Sequence, residues 1–193
     1  MRLFTAIYPP AEAVEHLTTR VAGLRLGAAA AAGTKVGMVD PAQAHLTLAF
    51  LGDVAPGRLV EVESALGLAA RWSRDTRTAA PRLRLTGGGR FGRDRFTVLW
   101  ADVGGDVEAL QVLSRLIRSR LRHARLPYDE RPLRPHLTIA RPGDRLPPAD
   151  IEADLAALAD YEGPEWPAGE LVLTHSEPGP HPAYHRLAAW PLG

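Results

Sequence analysis

The chain has 193 residues, 46% of them hydrophobic, which is ample for a buried core and excludes disorder as the organising state. Its 23 basic residues nearly balance its 22 acidic ones, leaving a formal net charge of +1, so no global field announces a polyanionic partner and any nucleic-acid contact must come from a local patch. The absence of cysteine removes disulfides, thiolate nucleophiles and cysteine-ligated zinc together.

Almost all of the positive charge is arginine, since Lys35 is the only lysine. Arginine suits bidentate phosphate contacts, but a coding bias accounts for the joint excess of Arg, Ala, Pro and Gly at least as well. The opening apolar run, residues 1–7, is too short for a signal peptide and meets Pro9-Pro10 at once. No run approaches the ~20 apolar residues of a membrane helix. The expectation is a soluble cytoplasmic protein, monomeric by default.

In chain order, residues 3–8 read as a strand ended by Pro9-Pro10, after which Val14, Leu17, Val21 and Leu24 take the spacing of a buried helical stripe. The alanine-rich run 28–33 reads as a loop or frayed helix end. Residues 35–39 and 45–51 read as strands joined by a turn at Asp40-Pro41. A helix follows over 56–72 with Leu59, Val62 and Leu66 on one face. Strands at 81–86 and 96–103 are joined by the glycine- and arginine-rich stretch 87–95. The clearest helix is 106–123, with Leu110, Leu113, Ile117 and Leu121 in phase. After a proline-punctuated loop, residues 136–140 read as a strand, 150–160 as a short helix, and 169–175 and 184–190 as closing strands.

Short strands alternate with single helices, without the long buried runs of a parallel sheet, so the fold class is α+β with antiparallel sheet. Within it one pattern occurs twice: His45-Leu46-Thr47-Leu48 and His136-Leu137-Thr138-Ile139. In a strand, residues two apart share a face at a spacing of roughly 6.6–6.8 Å, so each copy points His and Thr one way and its two apolar residues the other. The copies lie 91 positions apart, close to half the chain, each beside an amphipathic helix. That predicts two pseudo-symmetric lobes with helices on their outer faces and a groove between them. No linker splits the lobes, so residues 1–193 are expected to form one domain.

Two imidazoles facing one cavity supply a general base and a general acid together near neutrality. The substrate suited to both at once is a phosphodiester, with entering and leaving oxygens on opposite sides of phosphorus. Threonine hydroxyls donate to the non-bridging oxygens, where charge builds.

The two motifs resemble the signature of the 2H phosphoesterases, and more fully that of the RNA 2',3'-cyclic phosphodiesterases of the 2'-5' RNA ligase (LigT/ThpR) family. Residues 2–7, 45–52, 131–141, Val98-Leu99-Trp100 and the segment 184–192 are similar to that family's segments, so the likeness covers essentially the whole chain. Met38 stands where the family often has an aromatic, which puts a base-stacking contact in question. The resemblance implies hydrolysis of a terminal 2',3'-cyclic phosphate on RNA, or of a nucleotide 2',3'-cyclic phosphate, to a 2'-phosphate without metal or cofactor. It implies His45 as general acid, His136 as general base, and Thr47 and Thr138 as phosphate holders. Run in reverse, the same machinery forms a 2'-5' linkage.

Other features bear on the substrate. Arg134 and Arg141 flank the second motif and are candidate phosphate binders. Parity puts Arg134 on the His136 face and Arg141 on the back face, unless the strand ends or bulges first. Gly87-Gly88-Gly89 is not a phosphate loop, because it leads into a strand and not a helix N-terminus. It reads as a hairpin connection whose Arg90, Phe91, Arg93 and Arg95 offer a basic and aromatic lip for single-stranded RNA, with Phe91 the candidate substrate contact. His16 and His123 are assigned to the surface. His175, His181 and His185 lack a metal-site register, so no metal is expected. The alternatives are another 2H substrate, such as a 2'-5' oligonucleotide or small cyclic nucleotide, a non-catalytic RNA-end-binding module, and an interaction scaffold.

Overall fold

The computed structural model describes residues 1–177, 179 and 183–193. Among these residues eight strands form one antiparallel sheet: β1 (Arg2–Ile7), β2 (Leu46–Asp53), β3 (Arg82–Phe91), β4 (Val98–Gly105), β5 (His136–Ala140), β6 (Trp166–Pro167), β7 (Glu170–Glu177) and β8 (Ala183–Pro191). Five α-helices accompany it: α1 (Ala11–Ala22), α2 (Arg25–Ala31), α3 (Leu59–Asp75), α4 (Val107–His123) and α5 (Pro148–Leu158).

The strand order is β6-β3-β4-β5-β2-β1-β7-β8, and the sheet is curled into a half-barrel. The expected α+β class with two similar halves holds, and the halves are continuous across the centre. There β2 and β5 run antiparallel and meet through one Cα pair, Leu46 with Leu137. These are equivalent positions of the two motifs, so the antiparallel pairing makes a local two-fold axis. Outward from that axis β5 is followed by β4, β3 and β6, and β2 by β1, β7 and β8.

Both motifs alternate in burial as a strand of period two requires. Leu46, Leu48, Leu137 and Ile139 are buried, while His45, Thr47, His136 and Thr138 are half-exposed on the opposite face. The buried side belongs to a single hydrophobic core reaching from Leu3 to Leu192. In α4 the stripe Leu110, Leu113, Ile117 and Leu121 is wholly buried, with Arg120, Arg122 and His123 in the last turn complementing the helix dipole. Ser114 of α4 donates its hydroxyl to the Leu48 carbonyl at 2.9 Å, tying the helix to the back of the first motif.

Three local expectations are corrected. Of the alanine-rich run, residues 28–31 form the C-terminal part of helix α2 and 32–33 the turn after it, and the buried carboxylate of Asp154 accepts from the backbone N–H groups of Arg25 at 2.7 Å and Leu26 at 2.8 Å and fixes the first turn of that helix. Residues 35–39 form no strand; they make only the bridge of Met38 to Ala140, flanked by Val39 N–H to the Ile139 carbonyl and Arg141 N–H to the Gly37 carbonyl. The three glycines lie within β3, not in a connection. A Cβ on Gly89 would sit 2.2 Å from the Trp100 ring and one on Gly88 would sit 2.8 Å from Leu158, so close packing, not turning, demands glycine there. The short strand β6 had no periodic signal to announce it. No helix is long and apolar enough among the described residues to cross a membrane.

Candidate functional site

The two-fold axis sets His45 and His136 on either side of the Leu46–Leu137 pair, on the face opposite the buried leucines. Each imidazole is held in the same way. Nδ1 of His45 lies 2.7 Å from the carbonyl of Gln43, and Nδ1 of His136 lies 2.7 Å from the carbonyl of Arg134. A carbonyl oxygen only accepts, so Nδ1 carries the proton in both rings and donates. Among the described residues Nε2 has no hydrogen-bond partner in either ring, which leaves it as the proton-transfer atom. The repeated interval, a ring bonded to the carbonyl two residues earlier, fixes tautomer and orientation together.

The surroundings of the two rings differ. His45 is packed in an aromatic cage, stacked on Phe4 with centroids 4.8 Å apart, edge-on to Tyr184 at 5.2 Å and tilted to Tyr8 at 5.7 Å. Tyr8 shares a hydroxyl hydrogen bond of 3.0 Å with Thr174 and lies under the Arg186 guanidinium at 5.2 Å. His136 has Phe91 edge-on at 4.9 Å and Trp100 at 6.0 Å, and faces Asp102 across the β4–β5 ladder.

Burial is the main force on both titrations and holds each imidazole below the ordinary histidine range. At His45 the Gln43 carbonyl opposes this, while the charges of Arg141 and His136 add to it. At His136 the Arg134 carbonyl opposes it, the Arg134 guanidinium adds to it, Asp102 pulls upward, and Arg141 pushes down again. The charge of Arg141 thus depresses both rings.

The other candidates sort as follows. Thr47 and Thr138 lie half-exposed on the histidine face. Arg134 places its guanidinium over Trp100 at 4.6 Å and over Phe91 at 5.3 Å, which fixes it beside His136. Arg141 is not confined to the back face: β5 ends at Ala140, so parity stops applying one residue earlier, and its charge reaches both rings. Phe91 is half-buried against Trp100 and His136, inside the site and not at an exposed lip. Arg90 is paired with Glu152 of α5 at 3.1 Å.

His16, exposed on α1, bonds the Tyr161 hydroxyl at 3.0 Å. His123 is exposed in the last turn of α4. His175 and His185 face each other across β7 and β8 with ring centroids 6.2 Å apart, and His181 lies outside the described residues. Sequence reasoning missed Phe4, Tyr8 and Asp102. The signal for Asp102 was its parity with Trp100, but only the strand order puts it opposite His136.

Comparison with known proteins agrees with this architecture. A family model described as the 2'-5' RNA ligase superfamily matches residues 8–180. An RNA 2',3'-cyclic phosphodiesterase of Thermus thermophilus is 32% identical over 205 aligned positions, covering 100% of this chain and 90% of the relative. One of Geobacillus stearothermophilus is 33% identical over 151 residues, covering 77% of this chain, which spans only 45% of that relative's length. Among solved structures, TT0787 of Thermus thermophilus aligns with a TM-score of 0.72 at 29% identity, covering 100% of this chain and 98% of that one. LigT of E. coli complexed with 3'-AMP aligns at 0.65 and 25% identity, covering 98% and 96%. The chain belongs to the 2'-5' RNA ligase superfamily.

Proposed function

We propose that this chain hydrolyses the terminal 2',3'-cyclic phosphate of RNA to a 2'-phosphate, with His136 as general base and His45 as general acid. The observation that carries this reading is the matched pair of imidazoles, each with Nδ1 on a carbonyl at 2.7 Å and Nε2 left free. Neutral His136 accepts the proton of a water through Nε2 as the water oxygen attacks phosphorus. The bond from phosphorus to the 3'-oxygen breaks, and protonated His45 delivers its Nε2 proton to that oxygen. The product is a 2'-phosphate beside a 3'-hydroxyl. Each histidine ends in the other's starting state, and solvent exchange resets them.

Their environments support this division of labour. Asp102 across from His136 stabilises the imidazolium that a base becomes. His45, enclosed by aromatic rings and facing cations, releases its proton readily. In this reading Thr47 and Thr138 donate to the non-bridging oxygens, Arg134 and Arg141 balance the phosphate charge, and Phe91 stacks on the terminal base. Both proton transfers run through imidazole, so the proposed reaction calls for no metal. With an RNA 5'-hydroxyl in place of water, the same attack on the cyclic phosphate and the same departure of the 3'-oxygen form a 2'-5' linkage.

The test is release of 2'-phosphate from an oligonucleotide with a cyclic-phosphate end, in excess chelator. Binding of that end without product in single-turnover conditions would instead identify a non-catalytic RNA-end module.

A further inference from the structure

The β3–β4 connection carries a surface that the reaction chemistry does not use. β3 ends at Phe91, turned inward, and the chain then passes Gly92 and Asp94, both at positive φ (64° and 52°), into a single 3-10 turn over Asp94–Phe96. The turn leaves Phe96 67% exposed. The Arg95 guanidinium covers one face of it at 4.7 Å, and Arg93 is exposed on the same tip.

This tip passes close to the segment that follows the second motif. A Cβ on Gly143 would lie 3.4 Å from the Arg95 carbonyl, and Gly143 follows Arg141, the cation both imidazoles feel, by two residues. Two arginines, Arg134 and Arg141, flank the second motif, and two more, Arg95 and Arg93, lie on the tip. None of the four forms an ion pair among the described residues, in a chain whose net charge is only +1.

We propose that Phe96, Arg95 and Arg93 form a platform for single-stranded RNA upstream of the end held in the cleft. A base stacks on the open face of Phe96, and the two arginines pair with backbone phosphates. Stacking on an aromatic face tolerates any base, and phosphate pairing reads no sequence, so the platform selects strand over mononucleotide, not one sequence over another. The proposal rests on the reading of the cleft as an RNA-end site.

The experiment compares kcat/KM on a 2',3'-cyclic mononucleotide with that on a short single-stranded RNA bearing the same terminus, for the native chain, Phe96→Ala and Arg93→Ala/Arg95→Ala. The expected result is a fall of about tenfold on the RNA alone, within the range of one lost base stack. The double variant should also show a shallower salt dependence. Undiminished RNA turnover in both variants, or an equal fall on both substrates, would overturn the platform. Fluorescence anisotropy with a labelled single-stranded RNA ending in a 2'-phosphate separates the two readings. Binding weakened by Phe96→Ala, with no turnover by the native chain, would retain the platform and refute the hydrolytic reading of the cleft. Mononucleotide turnover with RNA binding equal in all three proteins would do the opposite.

Discussion

Asp102 stands directly opposite His136 in the β4–β5 ladder, whereas the ring of His45 has Tyr8 and Phe4 beside it and no carboxylate acting on it. The two halves of the sheet repeat the same histidine mounting, then give the two rings different company. A base and an acid are distinguished by that company, because the hydrogen bond that mounts each ring is the same.

The first expectation concerns pH. Burial lowers both imidazoles, so the profile of kcat/KM should be bell-shaped and centred on the acid side of the ordinary histidine value. Asp102 raises His136, and its removal must lower that group. In Asp102→Asn the ascending limb, which marks loss of the proton from His136, should move to lower pH while the plateau drops severalfold. An ascending limb left in place would remove Asp102 from the account.

Replacing either histidine by alanine should reduce kcat by about 10²–10⁴-fold, the usual contribution of a positioned acid or base. Far-ultraviolet circular dichroism should be unchanged, since both side chains lie half-exposed on the face away from the core. Full activity in both variants would show that the proton transfers are made elsewhere.

Arg141 lowers both imidazoles at once, so Arg141→Ala should shift both limbs of the pH profile upward and raise KM for the cyclic phosphate. Arg134→Lys keeps the charge but loses the planar stack on Trp100 and Phe91, and should raise KM without moving both limbs together. Paired pH profiles of the two variants distinguish these roles.

Gly89→Ala tests whether the Trp100 plate is set by packing. With its Cβ 2.2 Å from two ring atoms, the substitution should destabilise by about 1–3 kcal/mol in urea denaturation and raise KM, because Phe91 leans on the displaced ring. An unchanged melting curve and KM would mean the ring is free to move aside.

Leu46→Ala removes one half of the pair on the two-fold axis and should cost about 2–5 kcal/mol. Activity per folded molecule should also fall, since this contact sets the distance between the histidines. Leu113→Ala, buried in α4, should cost a similar amount yet leave the activity of the folded fraction intact. Equal loss of specific activity in the two would contradict a special role for the axis.

The motif faces were legible from period two alone, because one apolar and one polar residue alternate over four positions in each copy and a strand has only two sides. The amphipathic helices α1, α3 and α4 were equally legible, since their apolar residues recur at helical spacing. The alanine run could not reveal α2, whose first turn is fixed by Asp154, a residue about 130 positions away. Nor could the triple glycine reveal its place in β3, because its reason is the bulk of Trp100 on a neighbouring strand. The sequence by itself determined that, within each motif, one imidazole and one hydroxyl share a polar face. Only the tertiary structure decided which groups surround each ring, because Asp102, Phe4, Tyr8 and Arg141 reach the site through strand order and a strand end, and neither is encoded in local periodicity.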